Sequence, residues 1–114
     1  MSAANGRTPK LGELPFRPRD VVWFHFKGKD RYAVVLHVDG ANRRAIIIHG
    51  TSVEREYECV RVEHQTRAGR ALMLKCTTYF YTSNVAGAGF DELKSRGRRC
   101  PPELFLQLRE FAGV

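Results

Sequence analysis

The chain has 114 residues, enough for one domain, and cutting it in two would leave neither half able to bury a core. A hydrophobic fraction of 43% suits a globular protein, and no apolar run approaches the roughly 20 residues that cross a bilayer. Lysine and arginine total 19 against 12 acids, a formal charge of +7, which favours a polyanionic partner because each neutralised phosphate releases counterions.

Residues 1–15 read as a flexible polar leader, with the domain occupying 16–114. The opening stretch from Met1 to Arg7 lacks the apolar core of a signal peptide, so a cytoplasmic location is expected by elimination, with no membrane contact. From Val21 to Phe26 the chain is rich in aromatic and β-branched residues, and Val22, Phe24 and Phe26 share one face of a first strand. The segment from Lys27 to Asp30 is a charged turn relaxed by Gly28. Arg31 to Val38 forms a second strand, and its run Ala33-Val34-Val35-Leu36 is apolar on both faces, which makes it central. A hairpin signal at Asp39-Gly40-Ala41-Asn42 leads to a third strand at Ala45–Ile48.

Tyr57 to His64 alternates as a fourth strand, with a phase shift between Cys59 and Val60 that a bulge would explain. Ala68-Gly69 turns the chain, and Ala71 to Tyr81 is expected as a last long strand with Leu72, Leu74 and Cys76 on one face. Val85 to Arg99 is rich in glycine and arginine and gives no clear period, apart from a short helical turn expected over Phe90 to Lys94. Pro101-Pro102-Glu103 starts a helix, Leu104, Leu108 and Phe111 form its apolar stripe with Phe105 beside them, and Gly113 stops it. Strands joined mostly by tight turns predict a mainly β fold, a small curled sheet or barrel with a C-terminal helix over its open end.

Three cysteines, Cys59, Cys76 and Cys100, are an odd number without CxxC spacing, which argues against both a disulfide framework and a zinc site. Cys59 and Cys76 lie in strand-like segments and read as small buried hydrophobes. Gly87-Ala88-Gly89 lacks the third glycine and the preceding strand of a dinucleotide site.

The order of segments resembles the MazF/PemK family of toxin–antitoxin ribonucleases, whose fold is an SH3-like barrel. Pro18-Arg19-Asp20-Val21-Val22-Trp23 is similar to the family's opening Pro-Gly-Asp strand, and Arg31-Tyr32-Ala33-Val34-Val35-Leu36 to its Arg-Pro-Ala-Val-Val-Leu strand. Ile46 to Ser52 resembles the strand that ends in Thr-Ser, Leu72 to Thr78 falls where the family has a long later strand, and Pro101 to Leu104 matches its C-terminal helix start. The likeness covers residues 16 to 112. Arg19 stands in place of the motif's glycine, Tyr32 in place of proline, and the link from Lys27 to Asp30 is shorter than the family's usual loop. Thr77 to Tyr81 also replaces the family's Asp and Gln near its active rim.

The resemblance implies a metal-independent endoribonuclease without cofactor, acting on single-stranded RNA through attack of the ribose 2′-hydroxyl on the adjacent phosphate. Arg31 and Thr51 map onto the family's catalytic pair. A guanidinium offsets charge growing on the phosphate, and a threonine hydroxyl donates to a phosphoryl oxygen. A homodimer inhibited by an acidic antitoxin peptide would follow. The alternative is a non-catalytic barrel that binds RNA or a protein partner. RNA-binding candidates are Lys27, Lys29, His49, Ser52 and the basic cluster Arg96, Arg98 and Arg99. Imidazole titrates near neutrality, but His25, His37, His49 and His64 are scattered, and His49 stands out only because it precedes Thr51 by two residues. Trp23, Tyr79, Phe80 and Tyr81 would either stack on bases or fill a core or dimer contact.

Overall fold

A computed structural model describes residues 14–114, so nearly all of the expected leader lies outside the described residues. The first three strands form where the sequence places them: β1 at Asp20–Phe26, β2 at Lys29–Asp39 and β3 at Arg44–Thr51. Lys27 and Gly28, with φ of 53° and 76°, make the two-residue turn that pairs Phe26 with Lys29. Positive φ at both central residues matches the right-handed twist of the strands it joins. The next hairpin is tied at its base, where the Asn42 side-chain amide donates to Asp39 Oδ2 at 2.7 Å.

Later in the chain the architecture departs from the expected one. The fourth strand, β4, is only Val60–Val62. Ala68-Gly69 lies in a short helix, α1, at Arg67–Ala71, where the Thr66 hydroxyl accepts from the Gly69 amide at 3.1 Å. Leu72 and Leu74 are buried as expected, yet they belong to an irregular segment, and the long strand β5 begins only at Thr78 and runs to Gly89. A turn of 3-10 helix at Phe90–Glu92 is followed by β6 at Leu93–Arg99 and by α2 at Pro102–Ala112. Cys76 is exposed and Cys59 half-buried, both outside the strands. The buried thiol is Cys100, whose pKa burial pushes up to about 12.

The strands form one antiparallel sheet in the order β4-β5-β3-β2-β1-β6. No ladder joins the edge strands β4 and β6, so closure of a barrel is not seen in the hydrogen bonding. Both faces are apolar. Val34, Leu36, Ile48 and Phe80 pack with Leu104, Phe105 and Leu108 of α2 on one face, while Val22, Phe24, Val35, Ile47 and Phe90 cluster on the other, joined by Phe16. The expected mainly β chain covered by a C-terminal helix is therefore what folds. Pro102 opens α2, and Gly113, at φ 74°, ends it with its amide donating to the Arg109 carbonyl.

Besides a register shift in the β1–β6 ladder, where Val21 pairs Arg98 and Val22 pairs Ser95 so that Arg96 and Gly97 are left over, two irregularities shape the sheet. Leu36 is an extra residue between the pairs Val35–Ile47 and His37–Ile46. The second is larger: Ile48 pairs Val85 and Gly50 pairs Phe80, which leaves Tyr81 to Asn84 opposite His49 alone. At Gly50 a Cβ would stand 2.3 Å from Thr78 Cγ2, so only glycine permits this approach of β3 to β5. Among the described residues, no helix is long and apolar enough to cross a membrane. Leu108 is fully buried beneath the sheet, and Leu108→Ala is expected to lower stability by about 2–5 kcal/mol in denaturant titration without changing the secondary structure seen by circular dichroism.

Candidate functional site

The two hairpins set the register that assembles the site. Ala33 pairs with His49, and continuing that ladder by two residues places Arg31 opposite Thr51 on the same face of neighbouring strands. Phe24 pairs with Arg31 from the other side, so Phe24 and, two residues on, Phe26 share that face. A cleft of about 210 Å³ opens between the start of β2 and the end of β3. Lys29, Asp30, Arg31 and Tyr32 line one wall, Gly50 to Val53 the other, and Cys76 and Thr78 complete it.

Arg31 is half-buried, with its guanidinium carbon 5.9 Å from the centre of the Phe26 ring. Its nearest acids in sequence are otherwise engaged: Asp30 bonds His25 Nδ1 at 2.9 Å, Asp39 accepts from the Asn42 side-chain amide at 2.7 Å, and Asp20 lies 3.5 Å from Arg99 Nε. Among the described residues Arg31 has no carboxylate partner, and its buried Nε has no hydrogen-bond acceptor. A guanidinium that lines an open cleft without a carboxylate partner is suited to an anion. The Thr51 hydroxyl accepts from the Val53 amide at 3.2 Å, which fixes its oxygen and leaves its proton available to donate.

His49 lies beneath this site, only 7% exposed, with the rings of Phe24 and Phe26 at 5.6 and 5.8 Å. Burial, reinforced by the charge of Arg31, lowers its pKa to about 4, and its Nδ1 is buried without a partner. It is neutral at pH 7 and does not line the cleft.

The structure therefore brings together Arg31, Thr51, Lys29 and Ser52, with His49 under them. The other expected cations lie elsewhere. Lys27 is exposed in the hairpin turn against Phe26. Arg96 packs beside two adjoining rings, 4.1 Å from Trp23 and 4.8 Å from Tyr32, and donates to the Leu72 carbonyl at 3.2 Å. Arg99 donates to the Pro18 carbonyl at 2.6 Å. Arg98 is exposed beside it. Asp20 pairs Arg99 and Phe24 pairs Arg31, so Arg99 is separated from Arg31 by four residues of β1, about 13 Å at roughly 3.3 Å per residue, while Arg96 reaches only the Tyr32 edge of the cleft.

Sequence reasoning missed the Trp23–Tyr32–Arg96 group and Tyr57, which is 71% exposed and stands edge-on to Tyr81. The alternation of Trp23 in β1 and its pairing with Tyr32 were the available signals. Comparison with family models, with curated proteins and with solved structures finds no match. No group of three or more metal-ligating side chains forms among the described residues.

His49 gives a stability test with a definite sign. Folded His49 titrates at about 4 and the unfolded imidazole at its ordinary 6.5, so the unfolded chain takes up the proton first as pH falls. Its contribution is complete above pH 6.5 and is lost on descending toward pH 4, amounting to about 3 kcal/mol. Denaturant titrations across that range are expected to show this slope in the wild type and a flatter one in His49→Gln.

Proposed function

We propose that the chain is a metal-independent endoribonuclease that cuts single-stranded RNA at the Arg31–Thr51 cleft, in the manner of the MazF/PemK toxins it resembles. The observation that carries this reading is Arg31, a guanidinium without an acidic partner among the described residues, on the same strand face as a threonine whose hydroxyl oxygen is held by the Val53 amide. Arg19 adds support. It has φ of 80°, a backbone that glycine adopts readily, at the place where the family's opening motif carries glycine. That conformation is held by hydrogen bonds from the Arg19 amide to the Val35 carbonyl at 2.9 Å and from the Cys100 amide to the Arg19 carbonyl at 2.7 Å.

In the proposed reaction the ribose 2′-oxygen attacks the adjacent phosphorus, the bond to the 5′-oxygen breaks, and a cyclic phosphate and a 5′-hydroxyl result. Arg31 holds the phosphate and offsets the charge that develops on its oxygens, and Thr51 donates to one of them. Lys29 and Ser52 hold the strand at the same cleft. The 2′-proton passes to water and the leaving oxygen takes one from water, because His49 is uncharged at neutral pH and enclosed. A homodimer and an acidic antitoxin peptide belong to the same proposal on the strength of the resemblance alone.

One observation favours a second reading, a barrel-like domain that binds RNA without cutting it. The only histidine under the cleft titrates near 4, far from the neutrality at which a general acid or base works best. The deciding experiment incubates wild type and Arg31→Ala with mixed-sequence single-stranded RNA and a chelator. Cleavage to cyclic-phosphate ends by the wild type, reduced at least about a hundredfold in a folded Arg31→Ala, supports the nuclease. Salt-sensitive binding by the wild type without cleavage assigns the chain to the second reading.

A further inference from the structure

The large β5 irregularity pushes Tyr81 to Asn84 out of the ladder, and a second cavity opens beside it. This cavity, of about 460 Å³, is lined by Tyr57, Glu58, Tyr81, Thr82, Ser83 and Phe111. It is separate from the Arg31–Thr51 cleft, but the two are joined by one loop. Ser52 and Val53 line the cleft, and Tyr57 and Glu58 line the cavity. Tyr81 pins that loop between them: its hydroxyl accepts from the Arg55 amide at 2.6 Å and donates to the Val53 carbonyl at 3.3 Å. A line of rings leads from one site to the other. Tyr79, the ladder partner of Thr51, stacks 6.5 Å from Tyr81, and Tyr81 meets Tyr57 edge-on at 6.4 Å.

We infer that this cavity is a nucleobase site, stacking a base against Tyr57 and selecting guanine through Glu58. The inference rests on the RNA reading of the neighbouring cleft and names what the strand does beyond the held phosphate. Tyr57 leaves most of its ring in water, at 71% exposure, and a base has a π-face to cover it. The charge of the loop decides which part of the strand faces it. Glu54, Glu56 and Glu58 outnumber Arg55 and repel phosphates, while Lys29 and Arg31 attract them. The backbone therefore stays at the cleft and the base edges turn toward the carboxylates. Guanine is the one RNA base whose pairing edge carries a ring N–H next to an amino group, two donors that match the two oxygens of a carboxylate. The hydroxyls of Thr82 and Ser83 supply further partners at the mouth.

The test is NMR titration of the Tyr57, Tyr81 and Phe111 ring signals with guanosine, adenosine, cytidine and uridine, in wild type and in Arg31→Ala. Guanosine is expected to shift these signals at the lowest concentration in both proteins. Glu58→Gln should lose about tenfold in guanosine affinity while keeping that for adenosine. Tyr57→Ala should weaken all four by about tenfold and Tyr57→Phe should retain them. Ring signals unmoved by any nucleoside overturn the inference, whatever the cleavage assay gives, and equal response to all four in wild type and Glu58→Gln overturns the guanine selection. Guanosine shifts in a protein that neither binds nor cuts RNA would leave the base site standing and remove the nuclease reading alone.

Discussion

Ala33, Val34, Val35 and Leu36 are each no more than 1% exposed, so β2 has to be covered on both faces within a chain of this size. A sheet with one wet face would leave half of that run in water, at roughly 25 cal/mol for each Å² of apolar surface. Two devices meet the requirement. On one face α2 supplies Leu104, Phe105 and Leu108. On the other no α-helix lies among the described residues, and β1, β3 and the end of β5 contribute to a common cluster closed by Phe16 and Phe90. The extra residue at Leu36, the long irregularity opposite His49 and the shift at Arg96 and Gly97 against β1 are where the sheet departs from a regular ladder, which is how a short sheet acquires curvature.

That curvature also governs the chemistry. Tight turns fix the β1–β2 and β2–β3 registers, and the two registers together decide that Arg31, Thr51, His49 and Phe26 share a face. A slip of one residue would send Arg31 to the side of α2 and bury a charge in the main core. Arg31 and His49 are instead held close to the Phe26 ring with buried nitrogens unpaired, an arrangement that costs stability. The depressed pKa of His49 belongs to the same arrangement, since burial disfavours the charged imidazole and the neighbouring charge of Arg31 disfavours it further.

The first half of the fold was legible because its signals are local. β-Branched runs, a Lys-Gly turn and an Asp-Gly turn name strands and connections without reference to the rest of the chain. The second half was not. The end of β5, Val85-Ala86-Gly87-Ala88-Gly89, has almost no intrinsic strand preference and is extended because β3 offers it a partner. β6, Leu93 to Arg99, is an edge strand whose charges guard an open ladder, a pattern that resembles a loop when read alone. Leu72 and Leu74 mimic strand alternation while tucking into the core from an irregular segment. At the site, Arg31 and Thr51 came from motif likeness and their adjacency from hairpin register, whereas Tyr57 lies in a polar loop that nothing local marks as a ring left in water.

Net charge is a poor guide to where a polyanion would sit on this molecule. Arg19 bonds the Cys100 carbonyl, Arg96 packs beside Trp23 and Tyr32, and Arg99 ties the entry of β1 through Pro18 and Asp20. These cations serve the fold, because guanidinium groups can stack on rings and donate to several carbonyls while remaining charged. What distinguishes Lys29 and Arg31 is an open cleft and, among the described residues, no side-chain bond to a carbonyl or carboxylate, although Arg31 also lies over the Phe26 ring; across the same loop the sign reverses at Glu54, Glu56 and Glu58. A surface with adjoining basic and acidic ends does more than attract a nucleic acid strand. Under the RNA reading it would orient one, phosphates toward the cations and base edges toward the carboxylates, with selectivity from the acidic loop and affinity from a small fraction of the positive charge.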